Sequence, residues 1–444
     1  MTTFDEALAP LARFANYEIN RSVIYAPGTF ELARMADLLA RLGDPQRVYP
    51  TIHIAGSKGK GSTAAMSAAM LAAAGYRTGL YISPHLHSFG ERMQVNGRPI
   101  TPVELAGLVD EALPHAEAVP GITWFEVITA LAFLYFARQA VDVAVIEVGL
   151  GGRLDATNVI LPLVSVITSL SYEHTAWLGN TLAQIAFEKA GIIKPHVPAV
   201  CAPQPAEALA VIERVCVERA APLLLVGRDW LYRAGPIHPA GQAFEVAVAP
   251  SSESEPAWRR FDLALLGRHQ IINAVCALAA VAQTTRAGLP VSAEAQAAGL
   301  AAVRWPGRGE VLASEPLVVT DGAHNGDSAR KLVEMLAEWF PGRRWTFVVG
   351  TLTDKDHAAI LAELIPCADR LILTRSRSSR ATDLALLAGV AAQLGRAATL
   401  ADSVAEALGV ALAAADAICL TGSLSIAAEA REAWAEYIQR KETS

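Results

Sequence analysis

Apolar residues fall along this chain in a repeating rhythm. Short unbroken runs closed by turn residues recur at 49–56 (YPTIHIAG), 77–83 (RTGLYIS), 142–149 (DVAVIEVG), 163–169 (LVSVITS) and 198–203 (PAVCAP), with helical segments between them. A second series at 317–322 (LVVTDG), 345–350 (WTFVVG), 369–374 (DRLILT) and 417–422 (AICLTG) fills the last third. Such runs are strands buried on both faces of a mostly parallel sheet, and the stretches between them are the covering helices. The pattern predicts two α/β domains, a larger one over 1–303 and a smaller Rossmann-like one over 304–444. The boundary is set by an alanine-rich helical stretch that gives way to Arg304-Trp305-Pro306-Gly307, where proline and glycine end the helical pattern. Segments 243–250 and 260–267 alternate as a small antiparallel hairpin, joined by the polar loop 251–256.

Composition narrows the function classes. A chain of 444 residues with 52% hydrophobic residues can bury two cores. The net charge of −7, with no basic run, lacks the footprint of a nucleic-acid binder, so no nucleic-acid partner is expected. No stretch approaches the roughly 18 uninterrupted apolar residues of a membrane span, and acids stand where a secretory signal would carry its basic region. A cytoplasmic monomer is expected. The cysteines, Cys201, Cys216, Cys276, Cys367 and Cys419, form no CxxC pair and read as core thiols.

The strand at 49–55 runs into Gly56-Ser57-Lys58-Gly59-Lys60-Gly61-Ser62-Thr63 and then into an alanine-rich helix, the order of a phosphate cradle. Glycines let backbone N–H groups approach phosphate oxygens, Lys60 reaches the terminal phosphates, and the Ser62 hydroxyl adds a donor. The spacing departs from the common form because Gly61 separates Lys60 from Ser62. The strand at 142–149 delivers Glu147 at its end, a carboxylate placed to hold magnesium under a nucleotide, since magnesium takes one or two carboxylates plus phosphate. The next strand ends at Ser171-Tyr172-Glu173-His174, so His174 is expected at the same sheet edge, where ligands of such sheets bind.

These blocks, with IEVGLGGRLDATN at 146–158, HTAWLGNTLAQIAFEKAGIIKP at 174–195, GRHQIINA at 267–274, WPGR at 305–308 and DGAHN at 321–325, resemble the folylpolyglutamate and dihydrofolate synthase family of the Mur ligase superfamily. The resemblance implies a Mur-ligase-type P-loop ATPase domain followed by a C-terminal domain that closes over ATP and binds L-glutamate. The implied reaction attaches glutamate to a folate or dihydropteroate carboxylate through an acyl phosphate, with ATP and two magnesium ions. Gly56, Ser57, Lys58, Gly59, Lys60, Gly61, Ser62, Asn273, Arg308 and Asp321 are then expected at the nucleotide. Ser83, Glu147, His174 and a carbamylated Lys189 are expected at the metals. Lys60, Lys189 and His324 are the implied catalytic residues. For the pterin the family pattern points to Thr123, Trp124 and Phe125 and to Arg153, Leu154 and Asp155, an aromatic ring to stack and a carboxylate to accept from ring N–H groups. The segment 83–97, with His85, His87, Arg92 and Asn96, resembles the family's mobile substrate loop.

Taken without the family, several of these residues read differently. Glu188 and Lys189 form a solvated helical charge pair, His324 and Asn325 are polar caps of a strand-end turn, and Phe125 is a core ring at a helix start. Three positions depart from the family, which has threonine and asparagine where this chain has Ser57 and Lys58, and proline where it has Gly326. Alternative readings are a cell-wall amino-acid ligase of the same superfamily and a nucleotide-binding switch protein.

Overall fold

A computed structural model describes residues 2–18, 31–238, 240–250 and 254–443. Part of the leader (19–30) and of the polar loop (251–253) lies outside the described residues. The chain divides into two compact units. One gathers the residues up to His238 with Ala243–Ala264 and Gln270–Val303; the other is built from Arg304 onward and takes in Leu265–His269.

The first unit is organised by an eight-stranded sheet. Its strands are β1 (Thr51–Ala55), β2 (Thr78–Tyr81), β3 (Met93–Val95), β4 (Arg98–Pro99), β5 (Val143–Glu147), β6 (Val164–Ile167), β7 (Ala199–Cys201) and β8 (Leu223–Leu225), in the order β4-β3-β2-β5-β1-β6-β7-β8. Pairings from β2 to β8 are parallel, and only β3 and β4 run antiparallel. Every residue of β1, β5 and β6 is buried, as the unbroken apolar runs require when helices cover both faces. The register pairs Ile54 with Glu147 and Ala55 with Ile167, so the carboxyl ends of β5, β1 and β6 finish side by side. That shared edge carries the site.

The small antiparallel sheet has three strands, not two. β9 (Trp230–His238), β10 (Gly241–Val248) and β11 (Arg259–Leu263) lie in the order β11-β10-β9. The missed strand contains Gly235 and Pro236, which hide its alternation, and proline is tolerated there because β9 lies at the sheet edge.

The second unit has six strands, β12 (Glu310–Ser314), β13 (Leu317–Thr320), β14 (Trp345–Val349), β15 (Ala368–Leu373), β16 (Thr399–Leu400) and β17 (Ala417–Thr421), in the order β12-β13-β17-β14-β15-β16. β12 alone is antiparallel. Alternate residues feed opposite faces. Val319, Phe347, Val349, Leu371 and Cys419 enter one core, while Val318, Val348, Ile372, Ile418 and Leu420 enter the other. Four cysteines are buried free thiols and Cys367 is half-buried. Among the described residues no helix is long and apolar enough to cross a membrane.

In the first unit the helix Ala293–Ala302 packs on the phosphate-loop helix Lys60–Ala73 so closely that a Cβ on Gly299 would stand 2.6 Å from the backbone of Met70. An exposed helical Gly→Ala change gains about 0.5–1 kcal/mol, whereas overpacking costs about 1–3 kcal/mol. Gly299→Ala is therefore expected to lower stability in denaturant unfolding, and a gain would show that the two backbones do not meet this closely.

Candidate active site

The phosphate loop is held from beneath and from the side. At Gly56 a Cβ would collide with the Thr168 hydroxyl, and at Gly59 (φ 88°) with the Asn273 amide. Both positions thus need glycine for room, and Gly59 also for its backbone. The N–H groups of Ser57 and Lys58 each donate to the Ser169 carbonyl at 3.0 Å, and the Ser57 hydroxyl donates to the Ser171 carbonyl at 3.0 Å. Asn273, whose amide donates to Gln270 at 3.0 Å, is brought against the loop at Gly59. The helix Lys60–Ala73 begins at Gly59 with no side-chain cap, so its first-turn N–H groups face the loop mouth as donors for an anion. Gly61 and Ser62 lie in that first turn.

Two lysines converge on one carbonyl. Lys60 Nζ donates to the Gly56 oxygen at 3.1 Å and Lys189 Nζ to the same oxygen at 2.9 Å. Lys189 also pairs with Glu173 at 2.7 Å and is only 2% exposed. The solvated-pair reading of Glu188 and Lys189 is therefore corrected. Both are buried, with Glu188 held by Arg153 at 2.8 and 3.1 Å, because the helix Leu182–Ala190 is covered at its C-terminal turn by the 149–155 loop. Burial would raise the Glu173 carboxyl, but Lys189, Lys60 and His174 overcome this and bring it down to about 2. Burial and the neighbouring Lys60 push the Lys189 ammonium below its ordinary range, against the pull of Glu173. Glu173 is the site residue that the sequence reading passed over. The only signal available was an acid beside His174.

Glu147 ends β5 buried, and its carboxylate accepts the Ser83 N–H at 3.4 Å, so the carboxylate and the Ser83 side chain are neighbours. His174 takes a left-handed backbone (φ 47°) and stacks on Trp177 with ring centroids 6.4 Å apart. Among the described residues no three His, Cys, Asp or Glu side chains are grouped as a protein-only metal cage. Glu147 with Ser83 does fit magnesium, which completes its shell with water and phosphate. A second ion at His174 fits only if Lys189 is converted to an anion, because its ammonium now pairs with Glu173.

The expected acceptor side is built on a helix start and a glycine loop. Thr123 caps the helix Trp124–Arg138 in a reciprocal box with Glu126. The Phe125 ring lies against Gly149, leaving no space for a Cβ there. The 149–155 loop rests on the helix that carries Lys189. A Cβ on Gly152 would stand 2.9 Å from the Glu188 carbonyl, and the Arg153 N–H donates to that carbonyl at 2.7 Å. The Arg153 guanidinium lies 5.6 Å from the Phe187 ring centre.

Asp155 has a structural task within its own loop. Its carboxylate is buried and turned inward, accepting the Leu150 N–H at 2.9 Å, the Thr157 N–H at 3.0 Å and the Thr157 hydroxyl. It pins the loop, whose half-buried side chains are Leu150, Arg153 and Leu154, with the half-buried Phe125 ring beside Gly149. Trp124 faces elsewhere, into a separate cavity of about 440 Å³ lined by Glu18, His85, Phe89 and Arg92 among others. Arg92 lies 5.4 Å from the Trp124 ring centre, bonds Glu18 at 2.9 and 2.7 Å, and donates to His85 at 3.0 Å.

Arg308, Asp321 and His324 gather in the second unit. Asp321 accepts the Gly309 and Ala323 N–H groups at 2.7 and 2.8 Å, Arg308 lies against Gly322, and His324 Nδ1 is 2.9 Å from the Gly322 carbonyl. Asn325 caps the helix Gly326–Trp339 by accepting the Ser328 N–H at 2.9 Å, so the polar-cap reading describes its local role.

Comparison with known proteins matches the Mur ligase middle domain over residues 54–281 and the Mur ligase, glutamate ligase domain over 307–424. The chain is 39% identical over 362 residues to a dihydrofolate synthase/folylpolyglutamate synthase of Bacillus subtilis, covering 79% of this chain and 83% of that protein. A Mycobacterium tuberculosis folylpolyglutamate synthase solved with ADP and AMPPCP superposes with a TM-score of 0.82 at 35% identity, covering 96% of this chain and 99% of that one. An FPGS complex with AMPPCP and folate superposes with a TM-score of 0.81 at 32% identity, covering 97% and 99%.

Because Glu173 titrates near 2 when folded against an ordinary 4.5, its stabilising contribution is complete above about 4.5 and is lost as pH falls toward 2. Glu173→Gln is expected to cost about 3 kcal/mol at neutral pH, since it leaves the Lys189 ammonium without its counter-charge. The difference from the unaltered protein is expected to shrink through that acid window. Denaturant midpoints at stepped pH check this, and a pH-independent difference would mean that the pair is not ionised.

Proposed function

The chain belongs to the folylpolyglutamate synthase and dihydrofolate synthase family of Mur ligases, which makes it an ATP-dependent ligase, and on that footing we propose that it condenses L-glutamate with the carboxylate of a folate or dihydropteroate. The observation that carries the reading is the convergence of Lys60 and Lys189 on the Gly56 carbonyl, beside an uncapped helix start. Two cations and a row of N–H donors at one sheet edge suit a triphosphate and the phosphoryl group it gives up.

A carboxylate is a poor acyl donor because its leaving group would be oxide. Transfer of the γ-phosphoryl group converts it to an acyl phosphate and ADP, and attack by the glutamate amine then forms the amide and releases phosphate and a proton. In this proposal Lys60 and the first-turn N–H groups neutralise the moving phosphoryl charge, while Asn273 flanks the nucleotide. Magnesium, held by Glu147 and Ser83 with a second ion at His174 and Lys189, supplies further charge neutralisation on the phosphates. The acceptor lies on Phe125 and the 149–155 loop. Arg308, Asp321 and His324 are assigned to the nucleotide and reacting groups from the second unit, which also receives glutamate.

The lowered Lys189 amine supports its carbamylation, because only the neutral amine adds carbon dioxide, losing a proton to become a carbamate anion. Burial against Glu173 favours the same outcome only when a metal or Lys60 separates the two anions.

ADP release measured with ATP alone, then with a pterin acceptor and glutamate, tests the function. Stimulation by both together and a product one glutamate heavier are expected, whereas acceptor-independent hydrolysis would favour a nucleotide switch. Lys60→Ala is expected to abolish ligation with unfolding unchanged, and near-normal turnover would remove the phosphate-cradle assignment. Lys189→Arg keeps a cation but cannot form this carbamate. It is expected to lose most activity, with partial rescue of Lys189→Ala by acetate or formate. Full activity in the arginine variant would leave Lys189 a purely structural cation.

A further inference from the structure

His53 sits in the middle of β1, fully buried, three residues before the phosphate loop and without any place in the chemistry described above. Its Nε2 lies 2.9 Å from the Thr157 hydroxyl, which in turn bonds the Asp155 carboxylate. A hydroxyl has one proton to give. Asp155, already the target of two N–H groups, is the acceptor in that bond, so Thr157 receives its second bond from His53, whose proton therefore sits on Nε2. Among the described residues the opposite nitrogen, Nδ1, is buried without a hydrogen-bonding partner, consistent with a neutral ring protonated only on Nε2. Burial, helped by Lys194 nearby, lowers the imidazole to about 3, so the ring stays neutral across the working range. The result is a one-way chain of donors from the central strand to the carboxylate that pins the 149–155 loop.

We propose that His53 is a positioning residue for the acceptor substrate, aiming the Thr157 hydroxyl at Asp155 and so fixing the loop on which the pterin-linked carboxylate lies. This role rests on the proposed function of that loop. The phosphate loop has a fastening of its own, through Ser57 and Lys58 to Ser169, that does not pass through the relay.

The test uses the full chain and steady-state kinetics with ATP, glutamate and a pterin acceptor. His53→Leu removes the donor, whereas His53→Gln places an amide N–H near the former Nε2. The leucine variant is expected to raise the KM for the acceptor about tenfold, the loss of one buried hydrogen bond, with the KM for ATP within about twofold. Glutamine is expected to restore most of this, and adding Thr157→Val to His53→Leu is expected to cost less than the two single changes summed, because both act on the same relay. An unchanged acceptor KM in His53→Leu, or equal rises for both substrates that glutamine does not repair, would overturn the role and leave His53 a packing residue. Should His53→Leu fail to fold, Thr157→Ser against Thr157→Val asks the same question without touching the strand, and equal acceptor KM values in the two would overturn it. Absence of glutamylated product from the unaltered enzyme would overturn the assigned activity and this role together, whereas an active enzyme with the wrong variant pattern overturns this role alone.

Discussion

The Gly56 carbonyl is the point on which the site turns. Two ammonium groups of like charge approach one oxygen, 3.1 and 2.9 Å away, in a region closed to solvent on the Lys189 side. One neutral acceptor does not compensate two cations in a low dielectric, so the arrangement needs anions to be stable. Glu173 supplies one. Burial first, and then the positive field of Lys60, lower the proton affinity of Lys189. In the proposed reaction the phosphate chain meets that same field, so polyanion binding and carbamylation of the buried lysine would draw on one electrostatic imbalance.

Steric constraints place that imbalance. β5, β1 and β6 end level because their register is parallel and unshifted, and each end carries a different part: Glu147, the glycine loop and the turn leading to Glu173 and His174. Glycines then let neighbouring segments come closer than side chains allow. Gly56 meets Thr168, Gly59 meets Asn273, Gly149 meets Phe125 and Gly152 meets the end of the Lys189 helix. The missing Cβ atoms bring segments that are separated in sequence to one edge, and at Gly56 and Gly59 the partners are more than a hundred positions away.

What was legible in the sequence follows from which interactions are local. Buried parallel strands announce themselves as apolar runs, and the phosphate loop as glycines and lysines between a strand and a helix, because the residues that form them are contiguous. β9 was not legible, since its proline and glycine mimic a loop and only its edge position permits them. The burial of Lys189 was equally hidden. A helical Glu-Lys pair looks solvated until a distant glycine loop covers it, and no local pattern reports that cover. The loop-pinning bonds of Asp155 were hidden for the converse reason. They run to Leu150 and Thr157, within five residues of it, but composition does not distinguish a carboxylate that holds its own loop from one that faces a ligand. Glu173 was passed over because its partner Lys189 lies on the next long helix, and no local pattern shows that the two meet.

The seam between the 149–155 loop and the Lys189 helix has a wider consequence. Gly152 lies against the Glu188 and Lys189 carbonyls, and Gly191 lies against Arg153, so the two backbones touch with no layer of side chains between them. Side chains normally act as the adjustable filler through which one segment tolerates change in another. At these points there is none, so a shift of the loop backbone passes undamped to the end of the Lys189 helix. Phe125 and Leu154 stand outside the contact points, and in the proposed reaction they are the positions where a new acceptor preference can arise with the seam left intact.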